Sequence, residues 1–197
     1  MDDRSNGGKP FFFLYQAVFK RIGLRLPFTT FERELLTEVN VAPAQLHPNG
    51  WAFVRAFQIL CRHLSIPPSV DVFLHFFEVK KQGKSLWVSF SGVASRILLT
   101  LFQNSFKGWK GNFFRVCCAK HDPAALDGFP LYWTKKPNPT TPRHLYLVNL
   151  RPTPFLHILV GSLALCLSSS YLILSRAFSN YRKQCLSSLI STRVVAL

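Results

Sequence analysis

The spacing of apolar and polar residues predicts helices in the first part of the chain. Residues 11–22 carry apolar side chains at intervals of three and four, which is the spacing of one helix face, and Gly23 gives a stop signal. A further short helix is predicted for the apolar run at residues 70–77. Two longer helical patterns lie between them.

The first of these patterns lies within residues 26–43, and Pro43 is its predicted end. Thr29 stands three residues before Glu32, which is the spacing of a capping box, because the hydroxyl can accept from first-turn amides while the carboxylate reaches back. The predicted buried face carries Phe31, Leu35 and Val39. The predicted exposed face carries Glu32, Glu34 and Glu38.

The second pattern follows a turn signal at residues 47–50, with Asn49 as the predicted N-cap and residues 67–68, both proline, as the stop. His47 is interpreted as a turn residue and His63 as a solvated helix position. One stripe at helical spacing is predicted to be buried, namely Phe53, Ala56, Phe57, Leu60 and Leu64. Three polar residues fall outside that stripe, namely Arg55, Gln58 and Arg62.

After residue 77 the period changes from that of a helix to that of a strand. Two strand-like pieces flank a turn at residues 82–83, and further strands are predicted at residues 112–118 and 129–135. The pattern therefore predicts an α+β fold in which N-terminal helices precede a small antiparallel sheet. A linker and a C-terminal hydrophobic helix are predicted to follow.

Composition divides the chain into four predicted parts. Residues 1–10 form a flexible leader, residues 11–137 the α+β domain and residues 138–154 a linker rich in proline and threonine. Residues 155–197 form a hydrophobic, basic tail without acidic residues, in which the uncharged residues 155–175 are long enough to span a membrane. A translated non-coding or frame-shifted tail has the same composition, so this alternative stays open.

The net charge of +15 favours polyanionic partners, namely nucleic acid or an anionic membrane surface. The five cysteines are odd in number and irregular in spacing, and the polar N-terminus shows no secretory signal. These features predict free thiols in a reducing compartment. The predicted location is therefore the nucleus or cytoplasm, or a membrane if residues 155–175 insert.

No arrangement of residues predicts catalysis or a metal site. Cys118 and His121 form one candidate pair of ligands, but no second pair stands at a usable spacing. The nine acidic residues are sparse, and their spacings predict no cluster for acid–base or two-metal chemistry. The chain also lacks a P-loop and a GxSxG motif. We therefore predict no enzyme activity, cofactor, metal or small-molecule substrate.

The best candidate for a binding site is the block at residues 106–115, where lysines and aromatic residues interleave. Aromatic rings stack on bases while lysines neutralise phosphates, so the block favours contact with nucleic acid. The alternative is that its aromatic residues belong to the core of the sheet. The predicted nucleic-acid-binding residues are Lys80, Lys81, Lys84, Lys107, Trp109, Lys110 and Arg115.

Several blocks together resemble a known family. They include "LPFTTFERELL", "VNVAPAQLHPNGW", "VFLHFFEVKK", "FKGWKGNFFRV" and "FPLYWTKKP". Over residues 11–137 they resemble the plant putative gypsy-type transposon domain, whose family is also called a putative transposase. The resemblance implies a retrotransposon-derived protein and brings no catalytic residues with it. The residues after 137 depart from the usual continuation of the family, which favours a truncated or mis-spliced product.

Three functional hypotheses follow. The first is a non-catalytic, transposon-derived α+β module whose basic surface binds nucleic acid or self-associates. The second is a protein anchored in a membrane by residues 155–175. The third, a transposition enzyme, is supported by the family name alone. The charge and the aromatic-basic block favour the first.

Overall fold

The computed structural model describes residues 10–81, 85–95, 98–99, 107–117 and 126–138. Within these residues the fold is α+β, with short helices and two separate two-stranded antiparallel sheets. The elements in chain order are β1 (Phe11–Tyr15), α1 (Thr30–Glu38), α2 (Pro48–His63), α3 (Val70–Phe76), β2 (Phe77–Lys81), β3 (Val88–Gly92) and β4 (Phe113–Cys117). The predicted leader, linker, C-terminal helix and span at residues 155–175 lie outside the described residues, apart from residues 10 and 138.

The prediction of a helix over residues 11–22 was wrong for its first half. Residues 11–15 form β1, which pairs with β4 so that Tyr15 lies opposite Phe113. A π-helical turn, Val18–Ile22, follows. Gly23 ends it, as predicted, and does so with a positive φ of 73°. An apolar run fits the period of a helix and that of a strand equally well. Residues 11–15 form a strand because β4, distant in sequence, pairs with them.

Helix α1 begins as predicted and ends earlier than predicted. The Glu32 amide donates to Thr29 Oγ1 (3.3 Å), and the Thr29 amide donates to Glu32 Oε2 (2.7 Å), which completes the capping box. Glu32 is buried rather than exposed, and burial raises the pKa of its carboxyl. The helix ends at Glu38 with Val39 as its C-cap, because Asn40 adopts a positive φ, so Pro43 is not its stop. The predicted buried face is confirmed.

Helix α2 begins one residue before the predicted N-cap. His47 is the N-cap, and its Nδ1 accepts from the Asn49 amide at 3.0 Å, so the prediction that Asn49 caps the helix was wrong. The predicted apolar stripe is buried in the core, except that Leu64 is half-buried. Arg55 and Gln58 are buried as well, because α2 is covered on more sides than an amphipathic surface helix.

Helix α3 and the β2–β3 pair agree with prediction. Antiparallel pairing places Lys81 opposite Val88, while the predicted turn at residues 82–83 lies outside the described residues. The predicted strand at residues 129–135 is wrong, because its described residues form bends without strand pairing. The predicted single sheet is likewise replaced by two, because β4 pairs with β1 instead of with β2 or β3.

Candidate nucleic-acid interface

The predicted lysines lie at the surface wherever the structure describes them. Lys80 and Lys81 are exposed at the end of β2, and Lys107 and Lys110 are exposed in the segment before β4. Lys84 lies outside the described residues. Each described lysine is therefore accessible to a polyanion.

Trp109 does not present its ring to solvent, since its side chain is only 4% exposed. Its ring contacts Tyr15, His47 and Trp87, with centroid distances of 4.5, 4.9 and 4.9 Å. A ring enclosed in this way cannot stack on a base. Of the two interpretations of this tryptophan, the structure favours the packing one, in which Trp109 anchors its loop and positions its neighbours.

Lys110 is the neighbour that Trp109 positions. Its Nζ lies 4.1 Å from the centroid of Trp87 and 5.9 Å from that of Trp109, which is cation–π geometry. Lys81 pairs with Val88, the residue after Trp87, so the backbone at the end of β2 runs beside the segment that carries this indole. Trp133 completes the group at 5.8 Å from Trp87. We call Trp87, Trp109, Lys110 and Trp133 the tryptophan cluster.

The β1–β4 sheet has one buried face and one face turned away from the core. Phe12 and Leu14 belong to the buried face, with exposures of 1% and 0%. Because alternate residues point to opposite sides and paired residues share a side, the register fixes the composition of the other face. That face carries Phe11, Phe13, Tyr15, Phe113, Arg115 and Cys117.

Exposed aromatic rings gather on this second face. Phe13 is 40% exposed and Phe113 is 57% exposed, and the two rings meet edge to face at 5.3 Å. Phe11 lies beside Phe13 at 5.5 Å and beside Tyr132, which is 52% exposed, at 5.7 Å. We call Phe11, Phe13, Phe113, Arg115 and Tyr132 the aromatic face.

Arg115 provides the charge of the aromatic face. Its guanidinium carbon lies 4.1 Å from the centroid of Phe11, so the cation rests on a ring. Its buried Nε–H has no acceptor among the residues that the structure describes. Neither the aromatic face nor the tryptophan cluster contains an acidic residue. Both groups therefore combine rings with positive charge.

Gln45 fixes the segment that supplies Tyr132 and Trp133. Its fully buried amide accepts from the Thr134 amide (2.9 Å) and donates to the carbonyl oxygens of Thr134 (2.8 Å) and Leu86 (2.9 Å). The Thr134 hydroxyl donates to the Asn40 carbonyl at 2.6 Å. Because the Gln45 amide both donates and accepts hydrogen bonds, it can hold the irregular segment around Thr134 without strand pairing.

His47 links this surface to α2. Burial lowers the pKa of its imidazole, and the positive charge of Lys110 lowers it further. The neutral ring is also the form that can accept from the Asn49 amide at Nδ1. His47 therefore favours the neutral state while it caps α2 and contacts Trp109.

Sequence reasoning missed the most exposed rings, namely Phe13, Phe113, Tyr132 and Trp133. The described residues contain five exposed large hydrophobic side chains, and all of them except Leu86 are these aromatic residues. Assigning residues 11–15 to a strand would have placed Phe13 on the face opposite Phe12 and Leu14. Nothing in the local pattern places Tyr132 beside Phe11, because that contact depends on Gln45.

The described residues do not contain a cluster of three or more histidine, cysteine or acidic side chains suited to a metal ion. Among the same residues, no helix is both long enough and apolar enough to cross a bilayer. Cys61 is buried, which raises the pKa of its thiol to about 12, so it is a poor nucleophile.

Residues 14–81 match the family model described as "Putative gypsy type transposon". The chain is similar to this family over residues 14–81. The matched segment contains the three α-helices and β2, whereas the resemblance predicted from sequence ran over residues 11–137. β4 and residues 132–133 therefore lie beyond the match, and they supply most of the exposed rings. No curated protein and no solved structure matches the chain.

Proposed function

We propose that this chain is a non-catalytic, transposon-derived module that binds nucleic acid through the positive charges around the tryptophan cluster. The observation that carries the proposal is the position of Lys110, held at the surface on Trp87 beside the exposed Lys107. An ammonium placed on a ring is oriented without an acidic partner, so its charge remains available to a phosphate.

The described lysines differ in how much of their charge is compensated. Lys80 lies 3.4 Å from the Glu78 carboxylate, whereas Lys81, Lys107 and Lys110 have no acidic partner within the part of the chain that is described. The proposal therefore ranks these three above Lys80. The net charge of +15 supplies a long-range attraction for any polyanion, and the local arrangement selects where it binds.

The test is binding of the full chain to labelled single-stranded and double-stranded DNA and RNA over a salt series from about 50 to about 200 mM. Phosphate contacts predict that the logarithm of the affinity falls linearly with the logarithm of the salt concentration. Lys110→Ala should weaken binding and reduce the slope by about 0.7 on a single strand. Absence of binding at low salt by a folded chain would contradict the proposal.

Arg62→Ala is the matched control, since it also removes one exposed positive charge. Arg62 lies near the end of α2, whereas His47 begins that helix beside Trp109. A 16-residue helix is about 24 Å long, so the two charges are well separated. We expect Arg62→Ala to keep the affinity and slope of the unaltered chain. Equal losses in both variants would indicate attraction by net charge without a defined site.

Self-association is a second candidate because exposed aromatic side chains also suit protein interfaces. Sedimentation of the full chain without nucleic acid tests it directly. A concentration-dependent dimer that Phe113→Ala dissociates would favour this candidate. The membrane-anchored alternative depends on residues 155–175, and extraction of expressed protein from membranes tests it separately.

A further inference from the structure

The exposed rings of the aromatic face are held by backbone pairing and hydrogen bonds, although their side chains are not buried. Phe113 and Phe13 belong to paired strands, so their backbones are held by the β1–β4 ladder. Tyr132 is held by its neighbours through Gln45 and Thr134. The three exposed rings are therefore fixed in place without being buried.

The ring geometry leaves π-faces available to a partner. Phe13 and Phe113 meet at an interplanar angle of 85°, and Phe11 and Tyr132 meet at 89°. In an edge-to-face pair, the ring that offers its edge does not use its own faces in that contact. Rings that are 40–57% exposed can therefore accept a flat aromatic group.

The charge of the surface indicates which flat group would bind. Arg115 lies on Phe11, and Lys110 lies on Trp87, while no acidic side chain belongs to either group. Tyr15 connects the two, because it is paired with Phe113 in the sheet and its ring contacts Trp109. Rings flanked by cations suit a ligand that carries both π-faces and negative charges along its length.

We propose that the aromatic face stacks on unpaired bases, so that the chain prefers single-stranded over double-stranded nucleic acid. This inference rests on the proposed function, and it adds the form of nucleic acid and the residues that recognise it. In a duplex the base faces are covered by neighbouring bases, so Phe13, Phe113 and Tyr132 could reach them only after unstacking. The lysines alone would not distinguish the two forms, because both expose phosphates.

The experiment compares four ligands of equal length with the full chain at one low salt concentration. These are oligothymidylate, oligouridylate, a DNA duplex and an abasic oligodeoxynucleotide, which keeps the phosphates and lacks the bases. We expect both single strands to bind at least about tenfold more tightly than the abasic strand and the duplex. The two single strands also show whether DNA or RNA is preferred.

Three substitutions test the residues, namely Phe13→Ala, Phe113→Ala and Tyr132→Ala. Each should weaken oligothymidylate binding by about tenfold and leave abasic-strand binding unchanged. Phe113→Leu should weaken binding almost as much, since leucine keeps the apolar surface and lacks a π-face. Leu86→Ala is the matched control, because Leu86 is 45% exposed and belongs to neither group of rings.

The possible outcomes separate this inference from the proposed function. Equal affinity for thymidylate, abasic and duplex ligands would overturn base stacking and leave phosphate binding intact. Failure to bind any ligand would overturn both. If Phe113→Leu binds like the unaltered chain, or if the alanine variants change only self-association, the face is an apolar protein interface and the inference is wrong. Cys117, opposite Phe11 and exposed, gives an independent readout, because bound oligothymidylate should slow its alkylation.

Discussion

Aromatic side chains occupy two regions of the chain that differ in solvent exposure. In the helical core, Phe73 is fully buried and contacts Phe57, Phe77 and Phe90 at 5.3, 4.6 and 4.9 Å. On the aromatic face, Phe113 is 57% exposed and contacts Phe13. Both groups contain edge-to-face pairs, so the ring geometry alone does not distinguish them.

The difference lies in what surrounds the rings. The core rings are enclosed by apolar side chains of α1, α2, α3 and β3. On the aromatic face, Phe13, Phe113 and Tyr132 are open to solvent, and Arg115 lies on the buried ring of Phe11. Burial makes the first group a source of stability, and exposure leaves the second group free for binding. A high phenylalanine content therefore does not indicate function until the positions of the rings are known.

Removing a core ring should produce the largest effect. Phe73→Ala leaves a cavity among several aromatic contacts, and we expect the free energy of unfolding to fall by about 3–5 kcal/mol. Urea denaturation followed by circular dichroism measures this change. A loss below about 1 kcal/mol would show that the core rings are less tightly packed than the contacts indicate.

Removing the Gln45 amide should produce the next largest effect. Gln45→Leu leaves the backbone groups of Thr134 and the Leu86 carbonyl without their partners, so we expect a loss of about 2 kcal/mol or more. Hydrogen exchange at the Thr134 amide should accelerate, because the segment carrying Tyr132 is released. Asn138→Ala is the control, since it removes one exposed hydrogen bond from the Asn138 side chain to the backbone carbonyl of Glu38. Its loss should cost about 1 kcal/mol or less. Unchanged exchange in Gln45→Leu would contradict the positioning role.

Acidification should lower the free energy of unfolding through His47. The pKa of His47 in the folded chain lies below its ordinary value of 6.5, so folding favours the neutral ring. Its contribution to stability is therefore present above pH 6.5 and is lost as the pH falls through the folded pKa. Denaturation midpoints of the unaltered chain and of His47→Asn, measured between pH 7.5 and pH 5, test this. The unaltered chain should lose more stability than the variant, and identical pH profiles would exclude His47 as the cause.

Truncating an exposed ring should have the smallest effect on stability. Phe113→Ala should change the free energy of unfolding by no more than about 0.5 kcal/mol, because more than half of the side chain is already in water. Thermal denaturation provides the measurement, with Leu86→Ala as a second exposed truncation. A loss comparable with that of Phe73→Ala would remove the distinction between the two regions.

Local signals predicted the helical region better than the candidate site. The capping box at Thr29 and the buried stripe of α2 depend on residues close in sequence, and both are present. β1 was missed because its partner, β4, lies about a hundred residues away and an apolar run fits a helix equally well. The aromatic face was missed for the same reason, since Phe11, Phe113 and Tyr132 meet only in the fold.

The most direct test of the account compares the unaltered chain with Phe113→Ala in two assays, denaturation and oligothymidylate binding at about 50 mM salt. We predict the same denaturation midpoint and an affinity about tenfold weaker in the variant. That result would show that an exposed ring serves binding while the core rings serve stability. Equal affinity in both proteins, with the variant folded, would contradict the account.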